Sequence, residues 1–216
     1  MGIFNVDGGI MKALGKVTDI ICLSLLFLVC SIPVFTMGTA ATALYYTVNK
    51  VIRNDRGYIF KEYITAFKDN FKQTTPIWLL VIVVAAVLGM DIYLVYQWGQ
   101  NGSKIGALVV VFLVMVMLLM AWVFYLFAYM ARFESTRKQA MKNAALMALA
   151  NLGWTAGLIV IGLAAAFVLY VLPVSVFFVP GLFTLLESFI LEKIFWKYMS
   201  EEDRAAELER NREFKN

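Results

Sequence analysis

Long apolar runs separated by short basic segments constrain this chain more than any other feature of its sequence. The run from Ile105 to Met130 holds no charged side chain. As a helix rising 1.5 Å per residue, it exceeds the roughly 30 Å thickness of a hydrocarbon core. The 216 residues are 62% hydrophobic and only 16% charged, against about 45–50% and 25% in soluble domains. A soluble domain of this size could not bury so much apolar surface, so the sequence predicts a membrane protein.

The predicted fold is an all-α, polytopic membrane bundle that forms a single domain over residues 1–216. We predict six spans, at about 17–35, 39–52, 77–98, 105–130, 151–172 and 180–198. The first run is longer than the 7–15 residues typical of a signal-peptide core, and further spans follow it. A single helix over residues 17–52 would be about 54 Å long, which is too long for a hydrocarbon core of roughly 30 Å. A helical hairpin that turns at Pro33–Gly38 is therefore favoured. The 39–52 helix either spans or only dips into the bilayer, which would leave five spans.

The distribution of Lys and Arg predicts the orientation of these spans. With the amino terminus inside, the inner segments are 1–16, 53–76, 131–150 and the polar tail 199–216. The outer turns are then 34–38, 99–104 and 173–179, and Lys104 is their only basic residue. Cytoplasmic loops carry the excess of positive charge in membrane proteins. We therefore expect both termini on the cytoplasmic side of the membrane. Trp78 and Trp98 are expected to mark the two ends of the third span.

Two amphipathic helices are predicted at the inner membrane surface, at about 59–73 and 134–150. In the first, Phe67 and Phe71 recur at helical spacing with other apolar residues. The charged residues Lys61, Glu62, Lys68, Asp69 and Lys72 fill much of the opposite face. Such a pattern is typical of a helix lying in the interface. It serves either to float the chain on the inner leaflet or to dock a partner protein.

Two pairs of small residues are spaced for close helix contact. Gly153 and Gly157 form a G-x-x-x-G pair, and Gly38 and Thr42 form a similar small pair. Such spacing lets two backbones approach in a membrane. We expect these pairs to pack inside the bundle.

Two acidic residues interrupt the apolar spans and form the candidate polar site. Asp91 lies seven residues before Trp98, and Glu187 lies seven residues after Pro180. Each would then be roughly 10 Å from the outer end of its span. Charged side chains inside a membrane are costly and often functional. We expect the two to line one cavity open to the outside, or else to occupy separate wet vestibules. Deeper in the last span, Glu192 has Arg132, Lys193 and Lys197 as candidate partners.

The sequence offers no basis for a catalytic, cofactor or metal site. It contains no histidine and no phosphate-binding loop. Cys22 and Cys30 are eight residues apart on one helix, or roughly 12 Å, which is too far for a disulfide. The net charge of +4 belongs to loops between spans, so it does not predict nucleic-acid binding. The bilayer itself is the first partner expected.

One stretch resembles a known family. Within residues 31–78 the similar pieces are Ile32-Pro33 with Thr36 and Gly38, Ala41–Tyr45, Gly57-Tyr58, Ala66–Lys68 and Asn70–Thr74, followed by Trp78. Ala131–Glu134 and Trp154-Thr155 also fit. These segments resemble the YesL-like family of bacterial membrane proteins, a domain of unknown function. The resemblance implies an accessory role in carbohydrate uptake at the cytoplasmic membrane, with subunits of a carbohydrate ABC importer as partners. The alternative is a stand-alone transporter or channel that uses Asp91 and Glu187.

Overall fold

A computed structural model describes residues 9–100, 104–199 and 201–213, and every regular element within these ranges is helical. The helices are α1 Gly9–Ser31, α2 Met37–Thr47, α3 Ile59–Gln100, α4 Val109–Arg132, α5 Arg137–Ala150, α6 Leu152–Val171, α7 Val179–Tyr198 and α8 Glu201–Glu213. Parts of the predicted inner segment 1–16 (1–8), outer turn 99–104 (101–103) and polar tail (200 and 214–216) lie outside the described residues.

Among the residues that the structure describes, four stretches are long and apolar enough to cross a membrane. They are Leu14–Ser31 in α1, the whole of α3, Gly106–Arg132 ending α4, and α6. The predicted spans at 17–35, 77–98, 105–130 and 151–172 each overlap one of them. The sixth predicted span corresponds to α7, which is 20 residues long but carries Glu187, Glu192, Lys193 and Lys197. The class of protein is therefore an all-helical one with at least four candidate membrane helices.

The predicted 39–52 helix is shorter and more buried than a lipid-facing span. As an α-helix α2 has 11 residues, or about 17 Å, and it continues as a π-helical segment, Val48–Arg53. Most of its residues are buried, because α1, α3, α4 and α7 all pack against it. Protein rather than lipid surrounds this helix.

Small and hydroxyl-bearing residues let α2 occupy this position. The Thr42 hydroxyl donates to the Gly38 carbonyl at 3.0 Å, and the Thr47 hydroxyl donates to the Ala43 carbonyl at 2.8 Å. Thr39 instead shares a 2.6 Å hydrogen bond with Thr74 of α3. Each hydroxyl therefore has a partner away from water, which removes the cost of burying it.

Gly38 marks the closest approach of α2 to its neighbours. A Cβ atom added at Gly38 would lie 2.6 Å from the Trp78 Cβ and 2.8 Å from the Phe127 Cζ. The two aromatic rings pack edge to face, with centroids 5.8 Å apart. The close contact predicted for Gly38 is therefore confirmed. The pair Gly153–Gly157 does not behave in this way, since neither glycine has a neighbouring atom within 4 Å of the added Cβ; the prediction that it packs inside was wrong.

Trp78 lies against the turn that connects α1 to α2. Its indole N–H donates to the Val34 carbonyl at 2.7 Å, at the 3₁₀ turn Val34–Thr36. Trp78 was predicted to mark the inner end of its span, and 34–38 to be an outer turn. Because a hydrogen bond joins the two, they cannot mark opposite faces of the membrane, and at least one of these predictions was wrong.

The amphipathic stretch 59–73 is not a separate surface helix. It forms the first part of α3, which runs for 42 residues through Pro76 and on to Gln100. The break predicted between 73 and 77 does not occur. At 1.5 Å per residue α3 is about 63 Å long, so the predicted docking face is rigidly continuous with a membrane helix.

The helix continues through Pro76 because its lost hydrogen bond is replaced. Pro76 has no N–H, so the Lys72 carbonyl one turn earlier has no partner within the helix. The Arg137 guanidinium donates to that carbonyl at 2.7 Å. Beside it, the Gln73 amide donates to the Ser135 carbonyl at 2.6 Å. The start of α5 therefore supports α3 at its weakest point.

The second amphipathic helix is present as α5, and it begins at residue 137 rather than 134. Thr136 and Gln139 form a capping box that fixes this start. Ala140, Ala144 and Ala148 are buried, and the Trp122 indole of α4 donates to the Met141 carbonyl at 3.0 Å. Small residues along one face of α5 thus bring it close to α4.

We expect Gly38→Ala to lower the free energy of unfolding by about 1–3 kcal/mol, because overpacking forces neighbouring groups to move. Thermal unfolding in detergent would measure the change. Gly157→Ala is the matched control: its added methyl group meets no atom, and alanine favours a helix by about 1 kcal/mol. Equal effects of the two substitutions would contradict the packing described for α2.

Candidate functional site

The two ends of the described chain meet the same loop. Lys16 near the start of α1 forms a 3.2 Å ion pair with Asp55, and Glu207 of α8 forms a 3.3 Å ion pair with Arg56. This loop, residues 54–58, joins the π-helical segment to α3. The stretch expected to be a polar tail is therefore a helix, α8, that folds back onto the bundle.

A buried chain of ion pairs links α8 to α4 and α7. Glu207 also contacts the Arg132 Nη1 atom at 3.2 Å, and the Arg132 Nε atom lies 3.4 Å from Glu192. The side chains of Glu207 and Glu192 are only 5% and 6% exposed. Of the partners predicted for Glu192, Arg132 is confirmed. Sequence reasoning missed Glu207, because one glutamate in a highly charged helix carries no distinguishing signal.

Glu192 is further held by neutral donors from the region of α2. The Tyr45 hydroxyl donates to Glu192 at 3.3 Å, and the Asn49 amide donates to the same oxygen at 3.0 Å. A buried carboxylate is tolerated when opposite charge and hydrogen bonds replace water. The arrangement therefore accounts for a charged glutamate at the base of the bundle.

Beside this network lies a polar cavity of about 620 Å³. It is lined by residues of α2, the π-helical segment, α3, α4 and α8, together with Arg56 of the loop. The polar lining groups are Tyr45, Tyr46, Asn49, Lys50, Arg56, Thr65, Asp69, Asn70, Gln73, Arg132, Glu134 and Glu207. Its size is within the range of small-molecule sites. Mixed amides, hydroxyls and charges of both signs suit a polar solute better than an apolar one.

A second cavity, of about 330 Å³, is almost entirely apolar. It lies between α1, α2, α3, α4, α6 and α7, and Glu187 is the charged residue on its wall. Tyr45 lines both cavities. Asp91 is not among the lining residues and is partly exposed elsewhere on α3. The structure therefore does not bring Asp91 and Glu187 together in this cavity, and a joint role for them stays a prediction.

The proposed docking face on α3 is only partly available. Lys61, Lys68 and Lys72 are exposed. Phe67 and Phe71 are half-buried, and their rings lie 5.9 Å apart. The lysines can therefore reach a partner, whereas the two aromatic side chains contribute mainly to packing within the bundle.

We expect Glu207→Ala to lower the free energy of unfolding by about 3 kcal/mol, because it removes a buried negative charge that pairs with both Arg56 and Arg132. Denaturant titration would measure this, and limited proteolysis should show α8 released from the bundle. Glu209→Ala, an exposed change on the same helix, is the control. Equal protease resistance in the two variants would show that Glu207 does not hold α8 in place.

Comparison with known proteins gives a partial match. A family model described as a protein of unknown function, DUF624, matches residues 20–92, about a third of the 216 residues. That family includes the YesL proteins, and the matched segment spans the second half of α1, all of α2 and most of α3. No curated protein and no solved structure matches the chain.

Proposed function

We propose that this chain is an accessory membrane subunit of a bacterial carbohydrate uptake system. In this proposal α2 with its π-helical extension is the shortest and most buried of six spans. Both termini lie in the cytoplasm, and the chain belongs with the YesL-like proteins. Its partners are the subunits of a carbohydrate ABC importer, which supply nucleotide hydrolysis. We assign no catalytic step to it.

The observation that carries the docking role is that the exposed lysines of α3 lie on the same uninterrupted helix as a membrane segment. Lys61, Lys68 and Lys72 are exposed on a helix that continues without interruption into an apolar membrane segment. A face fixed in this way loses little conformational freedom on binding, which favours association. Its charge complements an acidic surface on a partner.

The proposed orientation is supported by the two ends of the described chain. Both α1 and α8 contact the loop at residues 54–58, which places them at one end of the bundle. The basic residues Lys50, Arg53 and Arg56 lie in or next to that loop, and positive charge favours the cytoplasmic side.

The carbohydrate part of the proposal rests on the resemblance over residues 31–78, together with the matched segment 20–92. The polar cavity is compatible with it. Asn49, Asn70 and Gln73 line that cavity, and amide side chains both donate to and accept from hydroxyl groups.

To test the docking role, the tagged protein would be purified in mild detergent and its partners identified by mass spectrometry. We expect importer subunits to co-purify with the unmodified chain. Combined Lys61→Glu, Lys68→Glu and Lys72→Glu substitutions should reduce their recovery at least tenfold, because charge reversal repels an acidic partner surface.

The control for this experiment is Lys138→Glu with Lys142→Glu, which reverses exposed charges on α5. It should leave recovery unchanged. Full recovery with the α3 variant would overturn the docking role. If that variant instead lost only its binding to vesicles of anionic lipid, the face would serve the membrane and not a protein.

A second candidate function, a stand-alone small-molecule transporter, is favoured by one observation. The apolar and polar cavities share Tyr45 as a lining residue, so the two cavities adjoin at this side chain. In proteoliposomes containing this chain alone, a labelled sugar should then equilibrate across the membrane. Glu187→Gln and Asp91→Asn should each slow uptake about tenfold if both carboxyls act. Uptake equal to that of empty vesicles would eliminate this candidate.

A further inference from the structure

Glu187 is a buried acid without a partner. It is 6% exposed, and no hydrogen bond or ion pair joins it to any other residue within the described ranges. It lines the apolar cavity. Five residues further along α7, Glu192 has Arg132, Tyr45 and Asn49 around it. The two glutamates therefore have opposite environments, although they share one helix.

Two hydroxyl-bearing residues line the cavity together with Glu187, and both hydroxyls donate to other groups. Thr184 donates to the Pro180 carbonyl at 2.9 Å, and Tyr45 donates to Glu192 at 3.3 Å. Each hydroxyl has one proton to donate. The Glu187 carboxyl is therefore free to pair with a ligand bound in the cavity.

The rest of the wall is rich in aromatic rings. Two pairs of rings in contact form part of it. Trp78 packs on Phe127 with centroids 5.8 Å apart, and Phe124 packs on Phe183 with centroids 5.2 Å apart. Phe27 adds a further ring. The faces of such rings carry partial negative charge and attract organic cations. A carboxyl group and aromatic rings on the wall of one cavity are thus a combination suited to a positively charged ligand.

Glycine maintains this aromatic wall. A Cβ atom at Gly162 would lie 2.9 Å from the Phe124 Cζ atom and 3.7 Å from Phe183. The absence of a side chain at Gly162 therefore allows both rings to pack against α6. Close packing of this kind shapes the wall of the cavity. The cavity volume of about 330 Å³ is near the lower end for small-molecule sites.

We propose that this cavity binds a small organic cation, an aryl or alkyl ammonium, with its charged head at Glu187 and its apolar body against the rings. A metal ion fits less well, since Ca²⁺ and Mg²⁺ require six or more oxygen ligands and this wall offers one carboxylate. A neutral apolar molecule would leave the carboxyl unpaired. The site is independent of the docking face on α3 and of any carbohydrate.

The test compares two probes of the same shape on the purified protein in detergent. Benzyltrimethylammonium carries a quaternary nitrogen, and neopentylbenzene has carbon in its place. Equilibrium binding should be at least tenfold tighter for the cation, because only the cation is attracted to the carboxylate and the ring faces. This comparison uses the unmodified protein, so it does not depend on any variant folding.

Glu187→Gln keeps the size of the side chain and should weaken binding of the cation at least tenfold while leaving binding of neopentylbenzene unchanged. Glu209→Gln, an exposed change on α8, should bind both probes as the unmodified protein does. Equal affinity for the two probes, absence of binding by the cation, or retention of its affinity in Glu187→Gln would each overturn the proposal.

Discussion

The burial of α2 is the constraint on which the remaining helices depend. A helix surrounded by protein must satisfy its own polar groups and must be thin enough for its neighbours to approach. Threonine and glycine meet both requirements here. The hydroxyls of Thr42 and Thr47 donate hydrogen bonds to carbonyls of the same helix, and the absence of a side chain at Gly38 lets Trp78 and Phe127 pack closely. Because α1, α3, α4 and α7 all pack on this short helix, its thickness sets their separation and hence the two cavities that border it.

The same need to satisfy backbone groups explains why α3 is one helix. The sequence pattern changes from amphipathic to apolar between residues 73 and 77, which led us to predict two helices there, and Pro76 in this interval leaves a carbonyl without its partner. The replacement donor, Arg137, is 65 residues away from that carbonyl in the chain. No local pattern can reveal such a contact. It also makes the α4–α5 connection a support for α3, so the basic face and the membrane segment move as one body.

Much of the fold follows from hydropathy, because lipid leaves few options other than helices. Runs such as Ile105–Met130 indicate their helices directly, and the capping residues Thr136 and Gln139 mark the start of α5. The partnership of Arg132 and Glu192 could also be anticipated, since both are costly charges at neighbouring ends of spans. The folding back of α8 and the burial of Glu207 could not. The residues of α8 are strongly polar, and Glu207 is buried against Arg56 and Arg132, which lie far from it in the sequence. Depth along a helix likewise does not show which cavity a carboxyl lines, and only the structure places Glu187 on the wall of the apolar one.

The two glutamates of α7 show how one helix can serve structure and binding separately. Five residues at 100° each place Glu187 and Glu192 about 140° apart around the helix axis, so they face different neighbours. Glu192 meets a guanidinium, a hydroxyl and an amide, and its charge is balanced within the fold. Glu187 meets aromatic rings and empty space. A carboxyl that contributed only to stability would be replaced at little cost by an apolar residue of similar size. Its position on a cavity wall, with the neighbouring donors already engaged, is instead what a site for a positively charged ligand requires.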